Sequence, residues 1–401
     1  MFERAEIPYG VYWSTPFAKW QGSLSTVHPI QLASHVAKDQ LAKRDIAADS
    51  FDYGVLGITT PQYKSFWGVP WMMGMLGSDD VSGPTIAQAC ATSARCLQTG
   101  AQEVETENAD CALVVCADRT SYTPHIYYPD PSGPGGIGLK EDWIMDNIKG
   151  DPWAKVSMVE TAENCATKWQ ITTDQQHEVV LRRREQYEDA LAGDLAFQKR
   201  YMVVPMEVPD SKFRKTKGTL GGDEGVFGTT KEGLSKLKPV IEDGTVTFGG
   251  QTHPADGHTA MVIATEERAK EISTNPDIRI CFLGFGMARV DKAYMPAAPV
   301  PAAERALKQS GKTINEIDAI KTHNPFAVND VVFAKETGAD LKYMNNYGCS
   351  LIWGHPNSPT GMRATIELIE ELVLRGGGTG LFTGCAAGDS AMAIVVKVSD
   401  R

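Results

Sequence analysis

Residues 50–58 read SFDYGVLGI, and residues 316–323 read EIDAIKTH. Each stretch places an apolar–acidic pair before a short buried-type run. Each also follows a segment with apolar residues at helical spacing, residues 29–43 and residues 302–310. The Phe-Asp pair of the first stretch and the Ile-Asp pair of the second lie 266 positions apart. The two stretches therefore predict one helix–loop–strand unit that occurs twice.

The same 266-residue offset aligns two further features. It projects Cys90 onto Pro356, beside His355, and it projects the apolar run at 112–116 close to the run at 380–384. Three aligned features are better evidence of a duplication than a single match. Short apolar strands that alternate with helices predict an α/β fold with a sheet in each copy.

The final strand of each copy reveals a large insertion. The strand at 392–397 has its counterpart at 261–264, which leaves roughly 135 extra residues in the first copy, far more than a simple connection needs. Residues 122–243 are rich in glycine and proline turn signals and contain a charged helix at 173–192. We interpret this segment as a loop (lid) domain over the active face. The predicted division is an N-terminal half (1–121 and 244–270), the loop domain (122–243) and a C-terminal half (271–401).

Composition narrows the partners. The chain has 401 residues, 42% of them apolar, and a net charge of −11, so nucleic acid and anionic membrane are disfavoured. It has neither a run of 18 apolar residues nor a signal-type N-terminus, which predicts a cytoplasmic protein. A phosphorylated ligand stays compatible with the local basic residues Lys212, Arg214, Lys215 and Lys217.

The cysteines and histidines predict no metal site. The eight cysteines include no CxxC pair and no zinc-type spacing, so free and mostly buried thiols are expected. His253 and His258 flank a short turn but lack a third ligand at suitable spacing.

Cys90 is the strongest candidate for a nucleophile. It follows an apparent strand at 84–89 and precedes apolar residues at helical spacing, which places its thiol near a helix N-terminus. Unpaired amides and the helix dipole favour thiolate at such a position. The alternative is a small cysteine that only fills the core.

Two motifs near the C-terminus complete the chemistry. His355 lies in Gly-His-Pro, a turn that holds an imidazole rigidly, where it can accept the thiol proton. Cys385 lies at the C-terminal end of a buried strand and precedes Ala-Ala-Gly, whose backbone N–H groups can form an oxyanion hole. Its thiol can move a proton to or from a carbon next to a carbonyl. His323 ends the repeated strand and can donate a hydrogen bond to a developing oxyanion. Each of the three also has a purely structural alternative as a buried side chain.

In these motifs the chain resembles the thiolase family along nearly its whole length. The resemblance rests on STPFAK at 14–19, the Cys90 segment, ENAD at 107–110, Met158 with TAEN at 161–164, LSKLKP at 234–239, Gly-His-Pro and Cys385. It implies a duplicated five-layer αβαβα fold with the loop domain inserted in the first half. It also implies a homodimer or tetramer and coenzyme A (CoA) as co-substrate, with no permanently bound cofactor.

The resemblance also assigns roles to residues. Cys90 becomes the acylated nucleophile, His355 its activator and Cys385 the acid/base at the substrate α-carbon. The backbone N–H groups of Cys90 and Ala387 form one oxyanion hole, and His323 with His355 forms the other. The residues expected to contact substrate or CoA are Met158, Phe227, Thr252, Phe326 and Trp353.

Several positions depart from the usual thiolase pattern. His323 replaces an asparagine, as in sterol-carrier-type and other divergent thiolases, and Phe227 replaces an arginine expected near adenine. Thr252 replaces a serine, and Trp353 replaces a small residue beside the active histidine. These changes favour an aryl-substituted or branched 3-oxoacyl-CoA, such as benzoylsuccinyl-CoA in the degradation of aromatic compounds. Relatives of that type work with a small zinc-binding OB-fold partner subunit.

Two other functions fit the same scaffold. One is a Claisen-condensing or retro-aldol enzyme, which the pair of thiols disfavours. The other is a non-catalytic subunit that binds acyl-CoA, which the intact set of Cys90, His355 and Cys385 disfavours.

Overall fold

The chain forms two main β-sheets and two small hairpins, covered by helices, in a computed structural model that describes residues 2–133 and 138–401. The strands in this part of the chain are β1 (Tyr12–Ser14), β2 (Ala18–Lys19), β3 (Tyr53–Gly57), β4 (Thr85–Ile86), β5 (Cys111–Arg119), β6 (His125–Tyr128), β7 (Leu139–Asp142), β8 (Met206–Pro209), β9 (Thr216–Leu220), β10 (Ala255–Ala264), β11 (Ile278–Arg289), β12 (Ala319–His323), β13 (Gly378–Ala386) and β14 (Ser390–Asp400). The helices are α1 (Pro29–Ala42), α2 (Gly68–Leu76), α3 (Thr92–Glu105), α4 (Met145–Lys149), α5 (Met158–Lys168), α6 (Thr173–Leu195), α7 (Lys231–Leu234), α8 (Glu266–Ile272), α9 (Pro299–Ser310), α10 (Ala327–Thr337), α11 (Ser350–Trp353) and α12 (Thr360–Leu374).

The two main sheets share one pairing scheme. In the first sheet β3 runs parallel to β5, and β5 runs antiparallel to β10. In the second sheet β12 runs parallel to β13, and β13 runs antiparallel to β14. The full orders are β1-β10-β5-β3-β4, with β2 also on β10, and β11-β14-β13-β12. The predicted duplication is confirmed.

The helices arrange these sheets into five layers. Helices α3 and α12 contact each other and lie between the sheets, where they share one apolar core with both. Helices α1 and α2 cover the outer face of the first sheet, and α9 covers the outer face of the second. Apolar residues at helical spacing bury these helix faces, as amphipathic helices do. The αβαβα order is therefore as predicted.

The inserted segment separates β5 from β10 and contains β6 to β9 and α4 to α7. In the second half the equivalent strands, β13 and β14, are joined by residues 387–389 alone. The predicted charged helix is α6, which begins with a capping box of Thr172 and Gln175. It extends to Leu195, with non-helical backbone near its end. The exact domain boundaries stay a prediction.

A buried ion pair ties the insertion to the second half. The Arg363 guanidinium donates two hydrogen bonds to Asp223, at 2.6 and 2.7 Å, and both side chains are fully buried. The same guanidinium lies over the rings of Phe17 and Trp353, 4.7 and 4.4 Å from their centroids. Planar, bidentate pairing of this kind fixes orientation as well as distance.

Each of the eight cysteines is a free thiol, and six of them are buried. Across the described ranges, every helix is either too short or too polar to cross a bilayer.

Candidate active site

Cys90 lies at a sharp turn between β4 and α3. The predicted strand at 84–89 is wrong in extent, because only Thr85–Ile86 pairs with β3. Ala89 then adopts a φ of +44°, and the Thr92 hydroxyl braces the turn by accepting from the Gln88 N–H (2.8 Å) and donating to the Ala89 carbonyl (2.7 Å). A non-glycine residue at positive φ is a strained conformation that persists only where its surroundings hold it.

His355 lies at the corresponding turn between α11 and α12. Gly354 has a φ of +95°, and a Cβ there would lie 2.8 Å from His253 Nε2. His355 Nε2 is 3.1 Å from Cys90 Sγ, and its Nδ1 is 2.6 Å from Thr360 Oγ1. With a proton on Nδ1 donated to Thr360, the Nε2 lone pair faces the thiol, which is the tautomer a general base needs.

Burial sets the resting charges of this pair. Desolvation raises the pKa of the Cys90 thiol to about 11, although the backbone amides of Ala387 and Cys90 oppose the rise. Desolvation also lowers the pKa of His355 to about 3. The expected thiolate at a helix terminus is therefore outweighed by burial. The free pair is a neutral thiol and a neutral imidazole, and the proton must move as the sulfur attacks.

Cys385 is the next-to-last residue of β13 and is fully buried. Its sulfur accepts a hydrogen bond from Asn329 Nδ2 at 3.3 Å. Burial, followed by the charge of a Cys90 thiolate, holds the pKa of Cys385 well above its ordinary value. A neutral, proton-bearing Cys385 beside Cys90 can therefore act as an acid.

His323 closes the site at the end of β12. Its ring lies 4.1 Å from that of His355, centroid to centroid, at an angle of 30°. Its Nδ1 is 2.8 Å from Ser350 Oγ, while its Nε2 finds no hydrogen-bond partner among the described residues. The structure thus brings together Cys90, His323, His355, Cys385 and the Ala387 amide.

A groove of about 610 Å³ is lined by residues of the inserted segment and by residues 351–352, just before the Gly354 turn. Two of the expected contact residues, Phe227 and Thr252, line it, together with Phe248 and His253. One lining residue contacts the site directly, because the His355 N–H donates to the His253 carbonyl at 2.8 Å.

The other three expected contact residues lie outside the lining of this groove. Trp353 is fully buried against Phe17, with ring centroids 5.3 Å apart. Phe326 is also buried, and Met158 packs against the same apolar cluster at the start of α5. Lys215 and Lys217 line a separate recess at the β8–β9 hairpin.

Sequence patterns did not identify the residues that orient the site. Thr360, Ser350 and Asn329 each hold one reacting side chain, as described above. Asp118 is buried and accepts the N–H groups of Thr60 and Ser358, both at 2.9 Å, which fastens β5 to the turn after His355. An acidic residue near the end of a long apolar strand, with only Arg119 after it, is the one sequence signal for any of these.

Comparisons with known proteins agree with this geometry. The thiolase N-terminal domain family matches residues 13–267, and the thiolase C-terminal domain family matches residues 278–398. An acetyl-CoA acetyltransferase of Allochromatium vinosum is 28% identical over 398 residues, covering 94% of this chain and 95% of its own.

Solved structures give the same result. The crystal structure of human mitochondrial 3-ketoacyl-CoA thiolase superposes with a TM-score of 0.89 at 25% identity, covering 99% of this chain and 100% of that one. The same human enzyme in complex with CoA gives a TM-score of 0.88 at 25% identity, with 99% and 98% coverage.

Proposed function

The chain belongs to the thiolase family, and on that premise we propose that it cleaves a 3-oxoacyl-CoA with CoA through an acyl group carried on Cys90. The observation that carries the proposal is the 3.1 Å contact between Cys90 Sγ and His355 Nε2, with the Cys385 thiol close by. A nucleophile, its base and a separate acid are what this reaction requires. CoA is a co-substrate and no permanent cofactor is needed.

The first half-reaction begins with Cys90. Its sulfur attacks the 3-oxo carbon while the thiol proton passes to His355 Nε2. The bond between carbons 2 and 3 then breaks, and the departing acyl-CoA enolate takes a proton from Cys385. We assign stabilisation of the enolate oxygen to the Nε2 N–H groups of His323 and of protonated His355, and that of the acyl-enzyme to the Ala387 and Cys90 amides; support comes from the proximity of both rings and both amides to the Cys90 sulfur.

The second half-reaction reverses the proton movements. The thiolate left on Cys385 takes the proton of an incoming CoA thiol, and the CoA sulfur attacks the acyl-enzyme carbonyl. The Cys90–acyl bond breaks, and Cys90 recovers its proton from His355. All protons and sulfurs return to their starting places, so no oxidant or further co-reactant is consumed.

The groove supplies a candidate route for CoA. Phe227 and Phe248 lie along it with 71% and 74% of their surfaces exposed, and aromatic faces of this kind can stack on adenine. Phe227→Ala is expected to raise the KM for CoA while leaving kcat nearly unchanged. Val240→Ala, an exposed residue of the same domain that is not part of the groove lining, is the matched control.

The acyl group we propose is aryl-substituted or branched, with benzoylsuccinyl-CoA as one example. Support comes from the departures at His323 and Trp353 from the common thiolase pattern. Trp353, the residue before Gly354, is fully buried against Phe17, so a bulky ring stands two positions from His355 where a small residue is usual. A thiolysis screen over straight-chain, branched and aryl 3-oxoacyl-CoAs tests the choice, and a preference for acetoacetyl-CoA would reject it.

The experiment that tests the mechanism is Cys90→Ser. We expect kcat/KM to fall at least about 10⁴-fold, as removal of a catalytic nucleophile does, with the circular dichroism spectrum unchanged. Cys281→Ser is the matched control, because Cys281 is also partly exposed but lies on β11, beside Glu6. Near-normal turnover in the Cys90 variant would end the proposal.

Two alternatives remain candidates on particular observations. The Cys90–His323–His355 cluster also suits a condensing enzyme, and detection of condensation without thiolysis would favour it. A non-catalytic acyl-CoA-binding subunit predicts no acyl-enzyme. Acylation of Cys90, seen by mass spectrometry after addition of substrate, excludes that alternative.

The chain is also proposed to form a homodimer or tetramer, or to bind a small zinc-containing OB-fold partner. Support comes from the edge strand β4 and the neighbouring Phe66 and Trp67, which are 91% and 62% exposed. Long exposed apolar patches commonly mark interfaces. Native mass spectrometry of the purified chain, and of the complex isolated from its host, distinguishes the assemblies.

A further inference from the structure

Three ligand-type atoms converge at the centre of the site. Cys90, His323 and His355 each offer one sulfur or nitrogen atom, and these atoms all lie within 4.8 Å of one another. Both imidazoles are buried, with 0% and 8% of their surfaces exposed. His323 Nε2 is the one of these atoms that has no hydrogen-bond partner among the described residues. A buried polar atom without a partner needs an explanation.

Hydroxyl groups fix the orientation of both rings from behind. Ser350 Oγ is 2.8 Å from Nδ1 of His323, and Thr360 Oγ1 is 2.6 Å from Nδ1 of His355. In the tautomer with the proton on Nδ1 of each ring, both Nε2 lone pairs face the thiol; for His323 this is the other tautomer from the one that donates to an enolate oxygen. Metal-binding histidines in proteins are held in this way by a partner on the other ring nitrogen.

We propose that Cys90, His323 and His355 form a binding site for one thiophilic divalent cation, with Zn²⁺ the best fit, and that the bound ion blocks Cys90. One thiolate and two imidazoles are ligands that Zn²⁺ prefers, at about 2.3 Å for sulfur and 2.0–2.1 Å for nitrogen. Donors around a tetrahedral ion at those lengths lie roughly 3.3–3.7 Å apart, which the cluster reaches with small side-chain shifts. The fourth position is left for water.

The chemistry of binding is balanced. The Cys90 thiol loses its proton to solvent, and the sulfur lone pair forms the bond to the ion. A sulfur engaged in this way cannot attack a carbonyl, so the ion inhibits without oxidising or modifying the protein. The site is independent of the acyl group and of the direction of the reaction.

Cobalt(II) gives a direct test that does not depend on turnover. Titration of the whole protein with Co²⁺ should produce a thiolate-to-cobalt charge-transfer band and tetrahedral d–d bands that saturate at one ion per chain, and Zn²⁺ should abolish them. His323→Asn should weaken binding by at least about 100-fold, since removal of a ligand costs more than loss of an outer-shell partner. His125→Asn is the control, because His125 is exposed and lies in β6, outside the cluster of ligand atoms.

Protection of the thiol gives a second readout. One equivalent of Zn²⁺ should slow iodoacetamide labelling of Cys90 at least about tenfold, and EDTA should restore the rate. Cobalt binding without a thiolate band, an equal affinity in His323→Asn, or unchanged labelling would each overturn the proposal. If His323→Asn fails to fold, Cys90→Ser takes its place and must lose the thiolate band. If the protein shows these cobalt bands but has no thiolysis activity, the proposed function is refuted and the metal-site proposal stands.

Discussion

Cys90 and His355 occupy equivalent points in the two halves, yet the chain reaches them by different routes. In the first half the edge strand β4 leads to Ala89, Cys90 and α3. In the second half the one-turn helix α11 leads to Gly354, His355 and α12. Each functional residue directly follows a residue with positive φ, which is an alanine in one half and a glycine in the other.

This difference separates two ways of building a reactive turn. The fold supplies both positions, because α3 and α12 are neighbours between the sheets and the Met362 N–H in the first turn of α12 donates to the Ser93 hydroxyl in the first turn of α3 at 2.9 Å. The first half holds its nucleophile in a turn that strains a non-glycine residue. The second half places its base on a turn that glycine alone can form comfortably, and then supports the base through Thr360.

The largest effect on activity is expected from a variant that removes the base, His355, and keeps the nucleophile, Cys90. His355→Gln should lower kcat/KM by about 10²–10⁴-fold, because general-base help in the attack is lost. The rate of Cys90 labelling by iodoacetamide should fall in parallel. His125→Gln, at an exposed site, is the control. A loss of less than about threefold would mean that Cys90 does not depend on His355.

Gly354→Ala tests whether the second turn needs glycine. Its φ of +95° and ψ of 177° belong to a region that is nearly restricted to glycine, and an added Cβ would crowd His253 Nε2. We expect a loss of about 3 kcal/mol in the free energy of unfolding, measured with urea, and a fall in kcat as His355 is displaced. Gly376→Ala, also at positive φ but with open space around it, controls for the conformational cost alone. Equal losses in the two variants would rule out the steric part of this explanation.

Acid should destabilise both halves through buried imidazoles, of which His258 in the first half and His355 in the second are examples. Burial lowers the pKa of His258, on β10, and of His355 to about 3, so the unfolded chain binds these protons first as pH falls below about 6.5. The stability contributed by each neutral ring is therefore present above that pH and is lost as pH falls towards 3.

The difference between wild type and His258→Leu isolates the first of these imidazoles. Between pH 7.5 and 5, the variant should lose about 2 kcal/mol less unfolding free energy than the wild type. Burial raises the pKa of Asp256 to about 6, so this carboxyl group stabilises the folded state as pH falls, opposite to His258. Comparing the two proteins cancels the contribution of Asp256, which both contain. Identical pH dependence in the two proteins would show that His258 is not a buried, neutral ring.

The sequence was sufficient to predict the features that come from periodic apolar spacing or from the internal duplication. Apolar spacing located α1, α3 and the strands around them, and the 266-residue offset predicted two equivalent sheets. The motifs identified Cys90, His355, Cys385 and His323, which the structure brings together. Contacts between distant segments could not be predicted in this way. The Asp223–Arg363 pair spans 140 residues, and Asp118 reaches Ser358 across 240.

The protonation state of the Cys90 thiol could not be predicted from the sequence either. A helix N-terminus favours thiolate, and the amide of Cys90 itself, with that of Ala387 from the other half, does oppose the rise in the pKa of Cys90. The larger effect is desolvation, which depends on everything packed around the sulfur. The complete burial of Trp353 could not be predicted for the same reason, because Phe17 and Arg363 cover its ring from other parts of the chain.

The smallest expected effect comes from giving the first turn the residue that the second turn has. Ala89→Gly relieves a φ of +44°, which favours the folded state, but it also frees the unfolded backbone at a cost of about 0.5–1 kcal/mol. The two terms nearly cancel, so the free energy of unfolding should change by less than about 1 kcal/mol. Thr92 still braces the turn on both sides, so Cys90 should keep its place and its labelling rate.

Thr92→Val separates the strain from the brace. It removes the hydroxyl that holds Gln88 and Ala89, and a lost buried hydrogen bond costs about 1–3 kcal/mol. If the brace is what maintains the strained turn, Thr92→Val should be less harmful when Ala89 is already glycine than when it is alanine. Additive effects of the two changes would mean that the first turn, like the second, is set by its backbone alone.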